Sequence, residues 1–207
     1  DSLTVTDSTF TSNAANGGGG GAIYVRAFAT QSNVIQTSTF AGNTGASAGA
    51  LLLWSDAAFI STTPITNSTF SANSASVSSG ADAILGFGDS KVNIAFSTFS
   101  GHDNSTGSST TGVIHATSGA DIVLSGSIIA NNPQSAGGTI RDCTAGTGGA
   151  TFIGDNNLSA DSICPGRIAS PTNVSATLAS NGGPTQTHAL NTGSNAISAM
   201  PAQLPGH

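Results

Sequence analysis

Charged side chains are scarce in this 207-residue sequence, and glutamate is absent altogether. All ten acidic residues are aspartate, four residues are lysine or arginine, and the net charge is −6. Glutamate and lysine favour helices, whereas the abundant Ser, Thr, Gly and Asn favour turns and strand faces, so the composition argues against a helical fold. The few basic residues are dispersed along the chain, which argues against nucleic acid as a partner.

Long apolar runs and a targeting segment are also missing from the sequence. No apolar run approaches the length of a membrane helix, so no transmembrane segment is predicted, and no signal peptide is present. Leu3 and Val5 already fill repeat positions that Val92 and Ile94 fill later. We therefore expect that the sequence is a piece of a protein with upstream coils or a signal, located outside the cell at its surface.

A tripeptide, Ser-Thr-Phe, recurs along the first two thirds of the chain. Its copies begin at Ser8, Ser38, Ser68 and Ser97, and Ser127-Ile128-Ile129 continues the series. Consecutive copies are 30, 30, 29 and 30 residues apart. Five residues before each apolar anchor stand the aliphatic residues Val5, Ile35, Ile65, Ile94 and Leu124. A fixed period of this size indicates stacked structural repeats.

Each repeat has the pattern of short strands. Its β-branched and aromatic runs of about five residues are bounded by Gly, Ser, Asn and Ala. The two apolar anchors have opposite parity, so a bend must lie between them if both face one core. A second apolar run follows a Gly-rich loop, as in Gly21–Val25 and Gly49–Leu53. The sequence thus predicts an all-β fold, a right-handed parallel β-helix (β-solenoid) with about 30 residues, three strands and three corners per coil.

Stacked coils predict ladders of identical side chains about 4.8 Å apart. The apolar ladder comprises Phe10, Phe40, Phe70, Phe99 and Ile129. Three residues after each member stand Asn13, Asn43, Asn73, His102 and Asn132. Asn tolerates the left-handed conformation of a corner, and its amide can bond the same amide in the next coil. We interpret His102 as a tolerated substitution in this ladder, with a ligand role as the alternative.

The repeat motif ends near Pro133, which divides the chain into β-helix repeats over 1–132 and an irregular capping region over 133–207. Cys143 and Cys164 are the only cysteines, and we predict that they form a disulfide. Such a bridge contributes about 3 kcal/mol in the chain-entropy model. Two cysteines without a histidine pair at ligand spacing do not indicate a metal site.

The C-terminal segment carries recognisable motifs. Asn181–Thr185, Thr187–Leu190 and Gly193–Ile197 resemble the closing signature of the bacterial choice-of-anchor Q domain, and Gly154–Leu158 with the two cysteines is similar to that family. The repeats are similar to those of polymorphic outer-membrane proteins and other β-helical surface proteins. The resemblance implies a secreted bacterial surface protein with a structural or adhesive role.

Several aspartates are candidates for an enzymatic site, because polysaccharide lyases and hydrolases use clustered carboxylates, often with Ca²⁺, or a carboxylate pair. Repeat spacing places Asp89 beside Asp121, with Lys91 close by, and Asp56 in the preceding coil. These aspartates stand in turn contexts, where the side chain caps backbone amides. We therefore predict no catalytic residue, no enzyme activity and no cofactor, with Ca²⁺ at Asp155 as the alternative.

Three classes of function stay open on the sequence. The first is a structural or adhesin-like surface module that associates with itself through open solenoid edges to form filaments. The second is a carbohydrate-binding or polysaccharide-degrading β-helix that contacts surface glycans through Trp54 or through Asp89, Lys91 and Asp121. The third is an ice-binding solenoid, because one file of threonines should face outward. This file comprises Thr9, Thr39, Thr69 and Thr98.

Overall fold

The computed structural model describes residues 2–102, 112–133 and 141–199. Residues 103–111, inside the predicted repeat region, lie outside this description. In chain order the first two coils contain β1 (Thr4–Thr6), β2 (Thr9–Thr11), β3 (Ala14–Ala15), β4 (Ile23–Ala27), β5 (Gln31–Ser32), β6 (Val34–Gln36), β7 (Thr39–Ala41), β8 (Thr44–Gly45) and β9 (Leu51–Ser55). The next coils contain β10 (Ser61–Thr66), β11 (Thr69–Ser71), β12 (Ser74–Ala75), β13 (Ala81–Gly88), β14 (Ser90–Ala95), β15 (Thr98–Ser100), β16 (Gly112–Thr117), β17 (Asp121–Ser125) and β18 (Ile128–Ala130). The described chain continues with β19 (Cys143–Ala145), β20 (Thr151–Asp155), β21 (Asn157–Ser159), β22 (Arg167–Ala169), β23 (Val174–Ala179), β24 (Thr187–Leu190) and a short 3₁₀ helix (Asn195–Ser198).

Equivalent strands of successive coils pair in parallel and form the sheets of a solenoid. Sheet A runs β1-β6-β10-β14-β17-β20, with β5 beside β10, and sheet B runs β2-β7-β11-β15-β18-β21-β22. Sheet C is the short order β3-β8-β12, and sheet D runs β4-β9-β13-β16-β19. The result is a β-solenoid of about five turns with about 30 residues per coil, as the repeat spacing predicts.

The solenoid continues past the point where the sequence motif ends. Beyond residue 132, β19 pairs with β16, β20 with β17 and β21 with β18. The division of the chain at residue 132 therefore marks the end of the Ser-Thr-Phe motif, not the end of the sheets. The final strand of sheet B is β22, which pairs with β21.

The bend predicted between the two apolar anchors is a single residue with positive φ. In successive coils this residue is Asp7, Thr37, Asn67, Phe96, Gly126 and Asn156, with φ between 48° and 54°. A second left-handed residue directly follows five successive strands of sheet B, at Ser12, Gly42, Ala72, Gly101 and Asn131. This position precedes the Asn ladder by one residue, so the prediction that the ladder residues themselves adopt this conformation is wrong.

The interior contains the predicted phenylalanine ladder. Ring centroids are 5.0 Å apart for Phe10–Phe40, 4.9 Å for Phe40–Phe70 and 4.8 Å for Phe70–Phe99, and the rings are within 7° of parallel. The last three are fully buried, whereas Phe10 in the first coil is half-buried. Aliphatic side chains of sheets A and D, such as Ile94 and Ile114, complete the same core.

The predicted asparagine ladder is also present. Asn43 Oδ1 accepts from both Asn13 N (3.0 Å) and Asn13 Nδ2 (2.9 Å), and Asn73 Oδ1 accepts in the same way from Asn43. The amide of Asn73 also donates to the carbonyl of Phe40. At the far end Asn132 accepts from His102 N and donates to Asp142, which is buried.

A serine ladder accompanies it, made of the first residues of the repeated tripeptide. The hydroxyl of each serine accepts from the backbone N–H of its counterpart one coil earlier and donates to the carbonyl two residues before it. The ladder ends where Ser127 N donates to Asn157 Oδ1 at 3.0 Å. This ladder satisfies backbone groups at the corner between sheets A and B, where the strand pairing is interrupted.

The segment after β22 returns along the outside of the solenoid. Strands β23 and β24 form an antiparallel hairpin, and this C-terminal hairpin packs on the outer face of sheet B. Thr39 Oγ1 donates to the carbonyl of Gln186 at 2.6 Å, and Thr185 donates to the carbonyl of Thr37. Thr39 and Thr69 are consequently buried, so the outward threonine file is not an open flat surface and the ice-binding hypothesis loses its basis.

The predicted disulfide between Cys143 and Cys164 is present. Both cysteines are 3% exposed and belong to the hydrophobic core. Cys143 begins β19, and Cys164 lies in the loop before β22. The bridge therefore ties the last strand of sheet D to the segment that closes the C-terminal end of the solenoid.

Candidate functional site

A groove runs along the outer face of sheet D. Side chains of β9, β13 and β16 alternate between the core and this face, as expected for strands. Strand register places two outward columns side by side, Leu52-Leu85-His115 and Trp54-Phe87-Thr117. Val77 and Ser79, from the segment before β13, and Ser47 also line the groove. The groove encloses about 240 Å³.

The floor of the groove is apolar. Leu52 and Leu85 are about 95% buried and form a small cluster with Ala48 and Ala81, separate from the main core. Phe87 packs against this cluster and remains partly exposed, as does Trp54. An apolar floor outside the core gives a ligand hydrophobic contact area.

Trp54 forms one side of the groove and is held from two directions. The guanidinium of Arg26 lies 4.5 Å from the Trp54 ring, and Phe87 lies 4.8 Å away at a tilt of 54°. Arg26 also contacts the exposed ring of Phe28 at 4.8 Å and pairs with Asp56 at 3.4 Å. Such a cation–π contact fixes the indole. The tryptophan is therefore a fixed groove wall, and the sugar-stacking platform that the sequence offered as an alternative is partly covered by Arg26.

Polar side chains lie at the other end of the groove, where it continues into a second depression. His115, Thr117 and Ser79 line both depressions, and Arg141 and Thr144 line the second. His115 is 4% exposed, and among the described residues neither of its ring nitrogens has a hydrogen-bond partner of good geometry. The buried Nε of Arg141 and hydroxyl of Thr144 likewise have none within the described chain.

Burial sets the charge of His115. It lowers the pKa of the imidazole below its usual value, and the nearby carbonyl of Gly80 raises that pKa by a smaller amount. The imidazole is therefore neutral at pH 7, with one nitrogen that donates and one that accepts. A neutral imidazole of this kind suits a hydroxyl group.

The predicted carboxylate cluster does come together. Lys91 Nζ lies 3.3 Å from Asp121 Oδ2, and both line a shallow depression with Asp89 at the end of sheet A. A hydrogen bond from Thr151 and the contact with Lys91 lower the pKa of Asp121. Asp56 is not part of this cluster, because it pairs with Arg26. Asp121 and Lys91 are partly exposed and satisfy each other, as a surface ion pair does.

The other polar candidates are engaged in structural contacts. His188 Nδ1 lies 2.9 Å from the carbonyl of Ser175 and Nε2 lies 3.0 Å from Ser71 Oγ, as a satisfied structural histidine does. Asp155 accepts from Asn156 Nδ2. Within the described part of the chain, no three His, Cys, Asp or Glu residues lie close enough together to hold a metal ion.

Comparisons place no known protein beside this chain: no protein family, no curated protein and no solved structure matches it. The β-solenoid fold is shown by the structure, whereas the resemblance to the choice-of-anchor Q domain rests on the sequence motifs. None of the described helical residues forms a helix long and apolar enough to cross a membrane.

Sequence reasoning found one wall of the groove and missed the rest. Trp54 is a candidate on the sequence because an exposed aromatic ring can stack on a sugar. Phe87 occupies the position of β13 that is paired with Trp54 of β9, so the repeat could have joined the two. Arg141 lies just before β19, outside the repeated motif, and no periodic signal points to it.

Proposed function

We propose that this chain is an adhesin-like binding module of an extracellular β-solenoid protein, and that the groove on the outer face of sheet D binds saccharides. The observation that carries this proposal is the groove itself. It combines an apolar floor at Leu52 and Leu85 and an aromatic wall at Trp54 with buried, unpartnered polar groups at His115. Sugar rings present apolar C–H faces and hydroxyl groups together, so both halves of the groove have a counterpart on such a ligand.

A rigid solenoid supports this role. Ladders of side chains fix each coil against the next, and the disulfide ties down the C-terminal end. Disulfides persist in oxidising compartments, which supports an extracellular or cell-surface location. Membership of the choice-of-anchor Q family and a polymorphic outer-membrane-type role belong to the same proposal. Axial self-association through open coil edges, with filament formation, stays a prediction.

We also propose that the module is not an enzyme and requires no cofactor. The cluster at Asp89, Lys91 and Asp121 is the best enzymatic candidate on the sequence. The lowered pKa of Asp121 keeps its carboxylate ionised at neutral pH, which suits an ion pair and makes it a poor general acid. Ca²⁺ at Asp155 stays a prediction.

The test is binding of the purified chain to an array of neutral oligosaccharides, followed by titration calorimetry of those that bind. We expect Trp54→Ala to weaken binding by at least about tenfold, because the aromatic wall of the groove is lost. Phe28→Ala is the matched control, since Phe28 also contacts Arg26 but does not line the groove.

Binding by Phe28→Ala should remain within about twofold of the unmodified chain, which is the scale of a peripheral contact. Absence of binding to every oligosaccharide would contradict the proposal. Equal losses in Trp54→Ala and Phe28→Ala would place the binding surface elsewhere on sheet D.

A further inference from the structure

Several buried polar groups of the described chain that lack a hydrogen-bond partner of good geometry lie at one place, whereas the hydroxyl of Ser90, which also lacks one, lies elsewhere. They include both ring nitrogens of His115, the Nε of Arg141 and the hydroxyl of Thr144, and all three residues line the same depression at the polar end of the groove. A buried polar atom without a partner costs free energy, so a cluster of them needs an explanation. A bound ligand that supplies the missing hydrogen bonds would explain this cluster. The same ligand would have to present an apolar face to the adjoining floor of the groove.

The charge of the groove narrows the chemistry of that ligand. Among the residues that the structure describes, Arg141 is the one charged side chain that lines the two joined depressions. Its guanidinium offers donors alone, and a carboxylate is one of the acceptors with which it forms its strongest hydrogen bonds. His115 and Thr144 can each donate and accept, which suits the hydroxyl groups of a sugar.

The charge of the whole chain sets a limit on the size of the anionic group. A net charge of −6 repels a polyanion at long range. A ligand with a single carboxylate is repelled less than a polyanion, because it carries one negative charge, and that charge pairs with Arg141. The arrangement therefore favours one acidic residue at the end of a saccharide over an acidic polymer.

We infer that the groove recognises a saccharide with a terminal carboxylate, whose acidic group pairs with Arg141 while its hydroxyl groups bond His115 and Thr144 and its ring lies toward Trp54. This inference rests on the proposed saccharide-binding function. It adds the chemical class of the ligand and the three residues that select it.

The experiment compares matched pairs of disaccharides that end in glucose, galactose or mannose, or in the corresponding uronic acid. Titration of the unmodified chain at low ionic strength should give roughly tenfold tighter binding to the acidic member of the preferred pair. Arg141→Gln should abolish this preference, because the charge that pairs with the carboxylate is removed. Lys91→Gln, which removes the same charge outside the groove, should retain the preference.

The outcomes separate this inference from the function on which it rests. If the unmodified chain binds the acidic and neutral members equally, recognition of a terminal carboxylate is contradicted, while saccharide binding still holds. Equal weakening of both members in Arg141→Gln overturns the role of Arg141 as the ion-pairing group. Binding of neither member of any pair overturns both. The comparison within the unmodified chain gives an answer even where Arg141→Gln does not fold.

Discussion

Single residues in this protein act as members of ladders, and His102 shows what the ladder requires. It occupies an asparagine position and makes the asparagine contacts with a ring. Its Nδ1 lies 3.1 Å from Asn73 N and its Nε2 lies 3.2 Å from the carbonyl of Phe70. A neutral ring with hydrogen on Nε2 satisfies both, because Nδ1 then accepts and Nε2 donates. A protonated ring no longer accepts from the N–H of Asn73, although the carbonyl of Asn73 lies 3.1 Å from Nδ1 and accepts from it in that state.

His102 should make stability depend on pH. Burial lowers its pKa from 6.5 to about 4 in the folded chain. The free energy of unfolding is therefore highest above pH 6.5 and decreases as the pH falls, because the unfolded chain binds the proton more readily. The total decrease down to pH 4 is roughly 3 kcal/mol. Chemical denaturation at pH 7.5 and 4.5 measures this loss.

The control is His102→Asn, which restores the ladder residue and removes the titration. We expect stability at pH 7.5 within about 1 kcal/mol of the unmodified chain and a clearly smaller loss at pH 4.5. Burial raises the pKa of Asp142, which acts in the opposite direction, but Asp142 is common to both chains and cancels in the comparison. An equal loss in both chains would contradict the assignment to His102.

At the scale of elements, the C-terminal hairpin changes what the surface of sheet B can do. Repeat logic places the threonines of β2, β7, β11 and β15 in one outward file. The hairpin of β23 and β24 lies across the middle of that file, and His188 enters it to contact Ser71. Equivalent threonines of the repeat therefore differ in exposure: Thr9 is exposed to solvent, and Thr39 is buried.

The hairpin should open independently of the solenoid. Thr39→Val leaves the Gln186 carbonyl without its donor, which costs about 1 kcal/mol. We expect backbone amides of β23 and β24 to exchange with solvent about fivefold faster, while those of sheet A keep their rates. Hydrogen exchange followed by mass spectrometry measures both.

Thr9→Val is the matched control, because Thr9 has the same place in the repeat and is exposed. Exchange of the hairpin should not change in that variant. Faster exchange in both variants, or in neither, would show that the Thr39 contact does not hold the hairpin.

At the scale of the whole molecule, stability should be distributed along the solenoid axis. Each coil contacts its neighbours in sequence order, so stability is close to a sum of local terms. The disulfide lies near the C-terminal end, between β19 and the segment before β22. Its loss should therefore be felt most strongly in the last coils.

Replacement of both cysteines by alanine should lower stability by about 3 kcal/mol, because the closed loop no longer restricts the unfolded chain. Hydrogen exchange should accelerate in β19, β20 and β22 before it does so in β1 and β2. Reducing agent should affect the unmodified chain in the same way and leave the double variant unchanged. A uniform acceleration from β1 to β22 would contradict local stability and indicate one cooperative unit.

The periodic features of this fold were readable from the sequence because they repeat. Five spaced copies of one motif predict the coil length, the phenylalanine ladder and the asparagine ladder. The parity of the two anchors predicts the bend between sheets A and B. The exact left-handed residue was misplaced by one position, because Asn tolerates that conformation but the hydrogen-bond ladder needs its side chain in the next position.

The tertiary structure alone decided what occurs once. The hairpin covers sheet B, Arg26 rests on Trp54, and Arg141 meets His115 and Thr144 at one depression. These contacts do not join equivalent side chains one repeat apart, so the sequence period does not predict them. The sequence period determines the stacking of identical side chains in successive coils. The groove forms where segments with different sequences meet in space, and the candidate site lies in that groove.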